Sequence, residues 1–184
     1  MHERGKTSER NGKSTVDRKI FIKNDKIGLA EYMESDYKLL FDSWQDDDTI
    51  LGYNYRMPYS FDEYCDYVKD STTWDAVIIR LEDNVVIGRI GMSPGLPDLT
   101  ITILKPYRNQ KFGTTAFLLG VKYCFEVLNL DKIYAGCYED NVLSKRMIEQ
   151  CGFVPHPAGN DVEQHIFSGE DRLQLDFILD FFCN

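Results

Sequence analysis

Cysteine is scarce in this 184-residue chain and is not arranged for cross-linking. The five cysteines are odd in number, widely spaced and without a C-x-x-C pair: Cys65, Cys124, Cys137, Cys151 and Cys183. We therefore expect neither a disulfide framework nor a zinc site, and we expect a reducing, cytoplasmic location. Cys124 lies in an apolar helical pattern and Cys137 in a strand pattern, which favours core packing over thiol reactivity.

Long apolar runs are also absent. No stretch approaches the ~20 residues that a membrane-spanning helix needs, so no membrane partner is expected. Residues 1–19 hold six Lys or Arg and three Asp or Glu, and they lack the hydrophobic region of a signal peptide. They are either a disordered tail or an expression-derived remnant. A single folded domain is then expected over residues 20–184, long enough to bury roughly two-thirds of its unfolded surface.

Positive charge is in deficit. The formal net charge is −9, and removing the +3 of residues 1–19 leaves −12 on the remainder. This surplus of acid argues against nucleic acid as a partner and favours a cationic substrate. A solvated acidic surface has the same composition, so charge alone does not decide between the two.

The most informative stretch is residues 98–120, in which a strand pattern leads through a basic turn into a helix. Apolar residues alternate with threonines in LTITI at residues 99–103, as in a strand with one apolar face. Pro106 ends that strand because it has no N–H to donate. The helical pattern starts near Phe112. The turn before it leaves N–H groups unpaired beside cationic side chains, an arrangement suited to phosphate.

The other patterns predict an α+β domain. Helices are expected at residues 35–45 and 112–128 and from Ser60 and Asn141, and strands at residues 20–27, 73–80, 85–92, 98–103, 132–138 and 173–182. Ser60 with Glu63 three residues later predicts a capping box. Gly88 interrupts a strand pattern and predicts a bulge or a close backbone approach.

The turn at residues 107–116, YRNQKFGTTA, resembles the pyrophosphate-binding turn of the GNAT superfamily of N-acetyltransferases, R/Q-x-x-G-x-G/A. Aligned on Arg108, the turn has Lys111 where the first glycine usually sits. Aligned on Gln110, it lacks the last small residue instead. We prefer the first alignment, which also matches the threonine and alanine that commonly follow.

A second stretch, NVLSKRMIEQCGF at residues 141–153, resembles the family pattern N-x-x-S/A-x-R-x-x-E-K-x-G-F. The matching residues are Asn141, Ser144, Arg146, Glu149, Gly152 and Phe153. Taken alone, Asn141 is equally a helix N-cap, and Gly152 with Phe153 equally a helix C-cap. The pattern follows the basic turn by about 30 residues, with a helix and a strand between them. The chain is therefore identified as a member of the GNAT superfamily.

The resemblance implies a GNAT-type α+β fold, with a mixed, mostly antiparallel central sheet flanked by helices. It implies transfer of an acetyl group from acetyl-CoA to a primary amine by direct attack, without a metal. The implied donor site comprises the backbone of Ile101, Thr102 and Ile103 along the pantetheine arm and the Asn141 side chain. The implied pyrophosphate turn is formed by Arg108, Asn109, Gln110, Lys111, Phe112, Gly113 and Thr114. His156, Asp161, Glu163 and His165 show no familiar metal-site spacing.

The acceptor must lose a proton, since an alkylamine with a pKa near ~10.4 is cationic at neutral pH and only its neutral form attacks. Many GNAT enzymes place a tyrosine acid seven residues after the asparagine, but that position here is Ile148. This form resembles the branch that acetylates the N-termini of ribosomal proteins. The branch implies Ser144 as proton donor or sulfur partner. It also implies an acidic base on the strand after Phe153, for which Glu163 is the candidate. Asp98, at the start of the central strand, is a second candidate base. Ser144 is equally a helix-start residue, and Glu163 a solvent-facing one.

The acceptor side of the family commonly includes the connection between the first two helices. Here that connection contains three aspartates and three tyrosines: Asp46, Asp47, Asp48, Tyr53, Tyr55 and Tyr59. They form either an amine-binding wall or a solvated acidic turn with packing tyrosines. The main expectation is acetylation of a protein N-terminus. The alternatives are a small polyamine or amino sugar as acceptor, and a non-catalytic CoA-binding module. The aromatic end of the last strand is a candidate homodimer contact.

Overall fold

The computed structural model describes residues 18–93 and 95–181 and contains both strands and helices. The elements are β1 (Ile20–Lys23), β2 (Ile27–Ala30), α1 (Glu34–Ser43), α2 (Asp47–Tyr53), α3 (Phe61–Asp70), β3 (Asp75–Arg80), β4 (Val85–Met92), β5 (Leu99–Ile103), α4 (Phe112–Glu126), β6 (Lys132–Tyr138), α5 (Val142–Gln150), β7 (Val154–Pro155), β8 (Asp161–Gln164) and β9 (Asp171–Asp180). Within these ranges, no helix has the length and apolar character needed to cross a membrane.

The strands form two antiparallel sheets. The first has the order β1-β2-β3-β4-β5, and the second has the order β6-β9-β7 with β8 also paired to β9. One core contains α4, whose buried Phe117 lies in the same cluster as Ile90 and Ile133. A second core places Leu40 of α1 and Tyr64 of α3 against the first sheet. The predicted α+β architecture, a mostly antiparallel sheet flanked by helices, is confirmed.

The two sheets meet where β5 and β6 run parallel. Asp98 and Tyr134 form an isolated bridge, and Tyr134 N–H donates to Pro97 O at 2.8 Å. Beyond this bridge, β5 pairs with β4 and β6 with β9 in the described part of the chain. The two strands therefore diverge, and the outer edge of β5 is left open.

Alternation along β5 decides which of its groups face the opening. Asp98 O accepts from Ser93 N–H at 2.9 Å, and Leu104 N–H donates to Ile87 O at 2.9 Å. Even-numbered residues of this strand therefore turn their backbone groups toward β4. The backbone groups of Ile101 and Ile103 point the other way, into the gap.

Local signals account for most of the element ends. Ser60 N–H donates to Glu63 Oε2 at 2.7 Å, and the predicted capping box is confirmed. The close backbone approach predicted at Gly88 is also confirmed, since a Cβ there would lie 2.3 Å from Thr102 O.

Cys124 and Cys137 are buried free thiols, as predicted. Burial raises the pKa of Cys124 to about 12 and that of Cys137 to about 11. Cys183 lies outside the described residues.

The N-terminal region departs from the expected pattern at two points. Most of the predicted tail, residues 1–17, lies outside the described residues. Arg18, however, belongs to the domain, because its guanidinium donates to both carboxylate oxygens of Asp36 at 2.7 and 2.8 Å. The single strand predicted at residues 20–27 is a hairpin, because Asn24 Oδ1 accepts from the N–H groups of Lys26 and Ile27 and turns the chain.

Candidate active site

A cleft of about 1580 Å³ opens where β5 and β6 diverge. It extends from the start of α4 to residues of α2 and α3 on the other side. Ten of the predicted site residues line it: Ile101, Thr102, Ile103, Arg108, Asn109, Lys111, Gly113, Thr114, Asn141 and Ser144. The side chains of Gln110, Phe112 and Glu163 do not line the cleft.

The turn before α4 follows a path suited to glycine. Asn109 has φ 61° and Lys111 has φ 65°, the left-handed conformation that glycine adopts with least strain. Lys111 occupies the position of the motif's first glycine when the turn is aligned on Arg108. The preferred alignment therefore agrees with the backbone, and the lysine adopts the glycine conformation.

The start of α4 offers unpaired N–H groups to the cleft. Its first hydrogen bond is Thr115 N–H to Lys111 O at 3.3 Å. The N–H groups of Phe112, Gly113 and Thr114 precede that bond and find no acceptor within residues 18–93 and 95–181. Together with the helix dipole they form an anion site. A Cβ added at Gly113 would meet its nearest heavy atom, Met147 Sδ, at 3.5 Å, so the approach is unobstructed.

The β5 edge supplies the second half of a donor site. Ile101 N–H, Ile101 C=O and Ile103 N–H face the gap and can pair with the amides of an extended ligand. Thr102 differs from the prediction, because its backbone faces β4 and its hydroxyl shares a hydrogen bond with Tyr53 Oη at 3.0 Å. Asn141 Oδ1 caps α5 by accepting from Ser144 N–H at 3.1 Å. The Asn141 amide nitrogen has no hydrogen-bond partner among the described residues.

Arg108 does not fit its predicted role as a phosphate ligand. Its Nε donates to Ile103 O at 2.9 Å, and its Nη1 donates to Asp48 Oδ2 at 2.8 Å. Its Nη2 donates to Asp46 Oδ2 at 2.7 Å and to Thr49 Oγ1 at 3.0 Å. Because these acceptors already occupy the guanidinium, Arg108 instead clamps the start of α2 to the end of β5.

The same contacts correct the predicted amine-binding wall. Asp46 also caps α2, since its Oδ2 accepts from Thr49 N–H at 3.2 Å. Burial tends to raise the pKa of Asp46, but the hydrogen bonds and charge of Arg108 outweigh it and hold the pKa below its ordinary value. Asp46 and Asp48 are thus ion-paired within the protein. They do not offer free charge to an amine.

Two further arginines neutralise carboxylates of the cleft, and the sequence analysis missed both. Arg89 Nη1 lies 3.3 Å from Asp75 Oδ2, and Arg172 Nη2 lies 2.7 Å from Asp140 Oδ1. Arg172 also donates to Leu51 O at 2.6 Å and so ties β9 to α2. A signal existed for Arg89, which is the lone charge in the otherwise apolar strand VVIGRIGM.

Asp98 is the lining carboxylate nearest the strand junction, and it has no cationic partner in the described part of the chain. Its Oδ2 accepts from Ser93 Oγ at 2.9 Å, while its Oδ1 is buried and unpaired among the described residues. Burial raises the pKa of Asp98 above its ordinary value against the Ser93 hydrogen bond, and Asp176 raises it further. A carboxylate with a raised pKa beside a cleft has the properties of a general base.

The two predicted catalytic residues occupy different environments. Ser144 lines the cleft, and its hydroxyl makes no hydrogen bond to another described residue. Glu163 lies behind Tyr138, whose Oη donates to Glu163 Oε2 at 2.6 Å. Asn54 Nδ2 donates to the same oxygen at 3.1 Å. Glu163 therefore reaches the cleft only through Tyr138, and a direct base role does not fit.

His156 and His165 both have partners in the protein. His156 Nδ1 lies 2.7 Å from Asp176 Oδ2, and His165 Nδ1 accepts from backbone N–H groups. Among the described residues, no group of three or more His, Cys, Asp or Glu side chains is arranged to hold a metal ion.

Comparison with known proteins identifies the fold and the donor. A family model described as an acetyltransferase (GNAT) domain matches residues 26–154. The chain belongs to the GNAT acetyltransferase family. It is an acetyl-CoA-dependent N-acetyltransferase, and acetyl-CoA supplies the acetyl group as a thioester. The open β5 edge and the free N–H groups of α4 fit the pantetheine arm and the diphosphate of this donor.

Individual GNAT relatives resemble the chain along most of its length. A spermidine N(1)-acetyltransferase of Vibrio cholerae serotype O1 is 27% identical over 129 residues, which cover 65% of this chain and 73% of that protein. A crystal structure of spermidine N-acetyltransferase from Vibrio cholerae, in complex with CoA and spermine, has a TM-score of 0.74 and 22% identity over 85% of this chain and 96% of that one. A GNAT-family acetyltransferase from Bacillus anthracis has a TM-score of 0.72 and 16% identity over 86% and 97% of the two chains.

The clamp assignment for Arg108 predicts energetic coupling to Asp46. Arg108→Ala and Asp46→Ala should each destabilise the domain, and the double variant should be less destabilised than the sum. We expect a coupling energy of roughly 1–3 kcal/mol from urea denaturation of the four proteins. Calorimetry should show similar acetyl-CoA affinities in the two single variants. Additive stability losses, with affinity lost only in Arg108→Ala, would instead indicate a phosphate ligand.

Proposed function

We propose that this GNAT acetyltransferase transfers the acetyl group of acetyl-CoA to a primary amine of a small polyamine such as spermidine. The observation that carries the proposal is the position of Asp98 at the junction of β5 and β6, where the open edge of β5 begins. This carboxylate has no cationic partner among the described residues, and its Oδ1 accepts no hydrogen bond from them. A primary ammonium that binds this carboxylate lies next to the strand edge that holds the thioester.

The acceptor class is supported by charge and by the relatives. The net charge of −9 favours a cationic acceptor over an anionic one. Two of the three relatives described above are named as spermidine acetyltransferases, which favours the polyamine alternative of the sequence analysis over a protein N-terminus. The resemblance to the ribosomal-protein branch rests on Ser144 and Ile148 alone.

The proposed chemistry assigns one task to each group. Asp98 accepts a proton from the bound ammonium, and its raised pKa narrows the gap to an alkylamine pKa of ~10.4. Ile101 N–H polarises the acetyl carbonyl from the strand edge. After the attack, the nitrogen of the tetrahedral intermediate gives its second proton to the Ser144 hydroxyl as that hydroxyl donates its own proton to the departing sulfur, so the serine is neutral before and after the step. The Ser144 hydroxyl makes no hydrogen bond to another described residue. These roles use the Asn-x-x-Ser form of the motif, which begins at Asn141. They do not need a tyrosine acid in the position that Ile148 occupies.

An acceptor screen tests the proposed function. Purified protein is mixed with acetyl-CoA and with spermidine, an amino sugar or a basic N-terminal peptide, and free thiol is followed as CoA is released. We expect the highest kcat/KM with spermidine, because its primary ammonium pairs with Asp98. Faster turnover of the peptide would overturn the polyamine assignment. Binding of acetyl-CoA without thiol release from any amine would favour a non-catalytic module.

The role of Asp98 predicts a specific pH dependence. The carboxylate is the active form, so kcat/KM should rise as the pH increases through its raised pKa. Asp98→Asn should remove this rising limb of the pH profile and lower kcat/KM by about 10²-fold or more.

Ser93→Ala serves as the matched variant for Asp98. It removes a hydrogen bond that stabilises the carboxylate, so the limb should move to higher pH. A pH profile unchanged in both variants would contradict the base assignment.

The homodimer remains a prediction. One Vibrio cholerae spermidine N-acetyltransferase structure, with a TM-score of 0.69, is described as dodecameric. We infer a self-associating protein in the cytoplasm from that likeness and from the reduced cysteines. Its sedimentation behaviour measures the oligomeric state directly.

A further inference from the structure

We propose that Tyr59 and Tyr67 form a cation–π subsite for the second ammonium group of the acceptor. This inference rests on the proposed function and names how the far end of a polyamine is recognised. We call the two residues the tyrosine pair.

The tyrosine pair lines the cleft from the segment before α3 and from α3 itself. The two ring centroids are 5.9 Å apart with an interplanar angle of 24°, so the rings are stacked. Tyr59 is 40% exposed and Tyr67 is 47% exposed. Their hydroxyls make no hydrogen bond to another described residue. Because both residues are partly exposed and line the cleft, the pair presents aromatic surface to solvent and to the cleft.

Carboxylates of the cleft wall are poor candidates for this second ammonium. Asp48, Asp75 and Asp140 line the cleft, but each is paired with an arginine. Glu31 also lines it, and its Oε1 accepts from Lys19 N–H at 2.8 Å. With Asp98 assigned to the reacting amine and these aspartates paired with arginines, Glu31 and the aromatic ring faces remain to recognise a further positive charge. Aromatic ring faces attract ammonium groups electrostatically.

The charge around the tyrosine pair favours a cation. Helix α3 has four carboxylates, at Asp62, Glu63, Asp66 and Asp70, against one cation, Lys69. Lys69 itself lines the cleft and opposes a bound ammonium. The helix as a whole is nevertheless negative, and such a field concentrates polycations at the mouth of the cleft.

A neighbouring tyrosine extends the aromatic surface inward. Tyr55 is 42% exposed and packs edge-on against Trp44, with ring centroids 6.1 Å apart. Burial raises the pKa of Tyr55, and Tyr59 and Tyr67 add to this effect, so the phenol stays neutral. When one ammonium group of the acceptor is bound at Asp98, the alkyl chain that follows it can lie against neutral aromatic rings. The next ammonium group then lies at the tyrosine pair.

The test compares ring removal with ring retention. Tyr59→Leu with Tyr67→Leu removes both π faces, whereas Tyr59→Phe with Tyr67→Phe keeps them and removes only the hydroxyls. KM and kcat are measured with spermidine and with butylamine, an acceptor that has a single ammonium. We expect the leucine variant to raise the KM for spermidine by roughly 5- to 30-fold. The phenylalanine variant on either amine, and the leucine variant on butylamine, should stay within about twofold of the wild type.

The outcomes separate this inference from the proposed function. If the wild type does not acetylate spermidine, the proposed function fails before any variant is compared. If the wild type acetylates spermidine and the leucine variant has an unchanged KM, only the tyrosine subsite is overturned. An equal loss for spermidine and butylamine also overturns it, because that result indicates a structural role. An equal effect of phenylalanine and leucine would assign the contact to the hydroxyls instead of the rings.

Discussion

The divergence of β5 from β6 is the constraint on which the site depends. Among the described residues, a single parallel bridge between Asp98 and Tyr134 joins the edges of the two sheets. Past that bridge the strands separate, so the N–H groups of Ile101 and Ile103 and the C=O of Ile101 face the cleft without a partner among the described residues. Unpaired backbone groups are costly unless a ligand or water satisfies them. The fold thus contains a slot with the hydrogen-bonding pattern of a missing strand.

The helix that follows β5 completes this arrangement. The chain crosses from β5 to α4 through two left-handed residues, Asn109 and Lys111. The helix then starts with its free N–H groups at one end of the slot. A ligand with an amide-containing arm and a diphosphate matches both features in order. Acetyl-CoA is such a ligand, which explains why this geometry serves an acetyltransferase.

Three arginines, each paired with at least one aspartate, shape the acceptor side. Arg108 fixes the start of α2 through Asp46 and Asp48, and Arg172 fixes its later part through Leu51 O. Arg89 pairs with Asp75 near the aromatic residues of α1 and α2. These contacts hold the acceptor side of the cleft in place, but they also neutralise the charges of its aspartates. The negative composition of the chain therefore overstates the free charge inside the cleft.

Local sequence signals predicted much of this structure. The capping box at Ser60, the strand at residues 132–138 and the turn before α4 depend on neighbouring residues, and each was predicted correctly. The site assignments that the geometry does not favour depend on contacts between distant parts of the chain. Arg108 binds residues 60 and 62 positions away, and Glu163 is separated from the cleft by Tyr138. Neither partner is visible in a local pattern, so both residues were assigned by motif alone.

Backbone amide exchange, followed by NMR with and without saturating CoA, tests the donor site most directly. The account predicts that CoA slows exchange at Phe112, Gly113 and Thr114 and at Ile101, because those N–H groups gain acceptors from the ligand. Amides of β2, already paired within the first sheet, should not change. Tight binding of CoA without protection at the start of α4 would contradict the account.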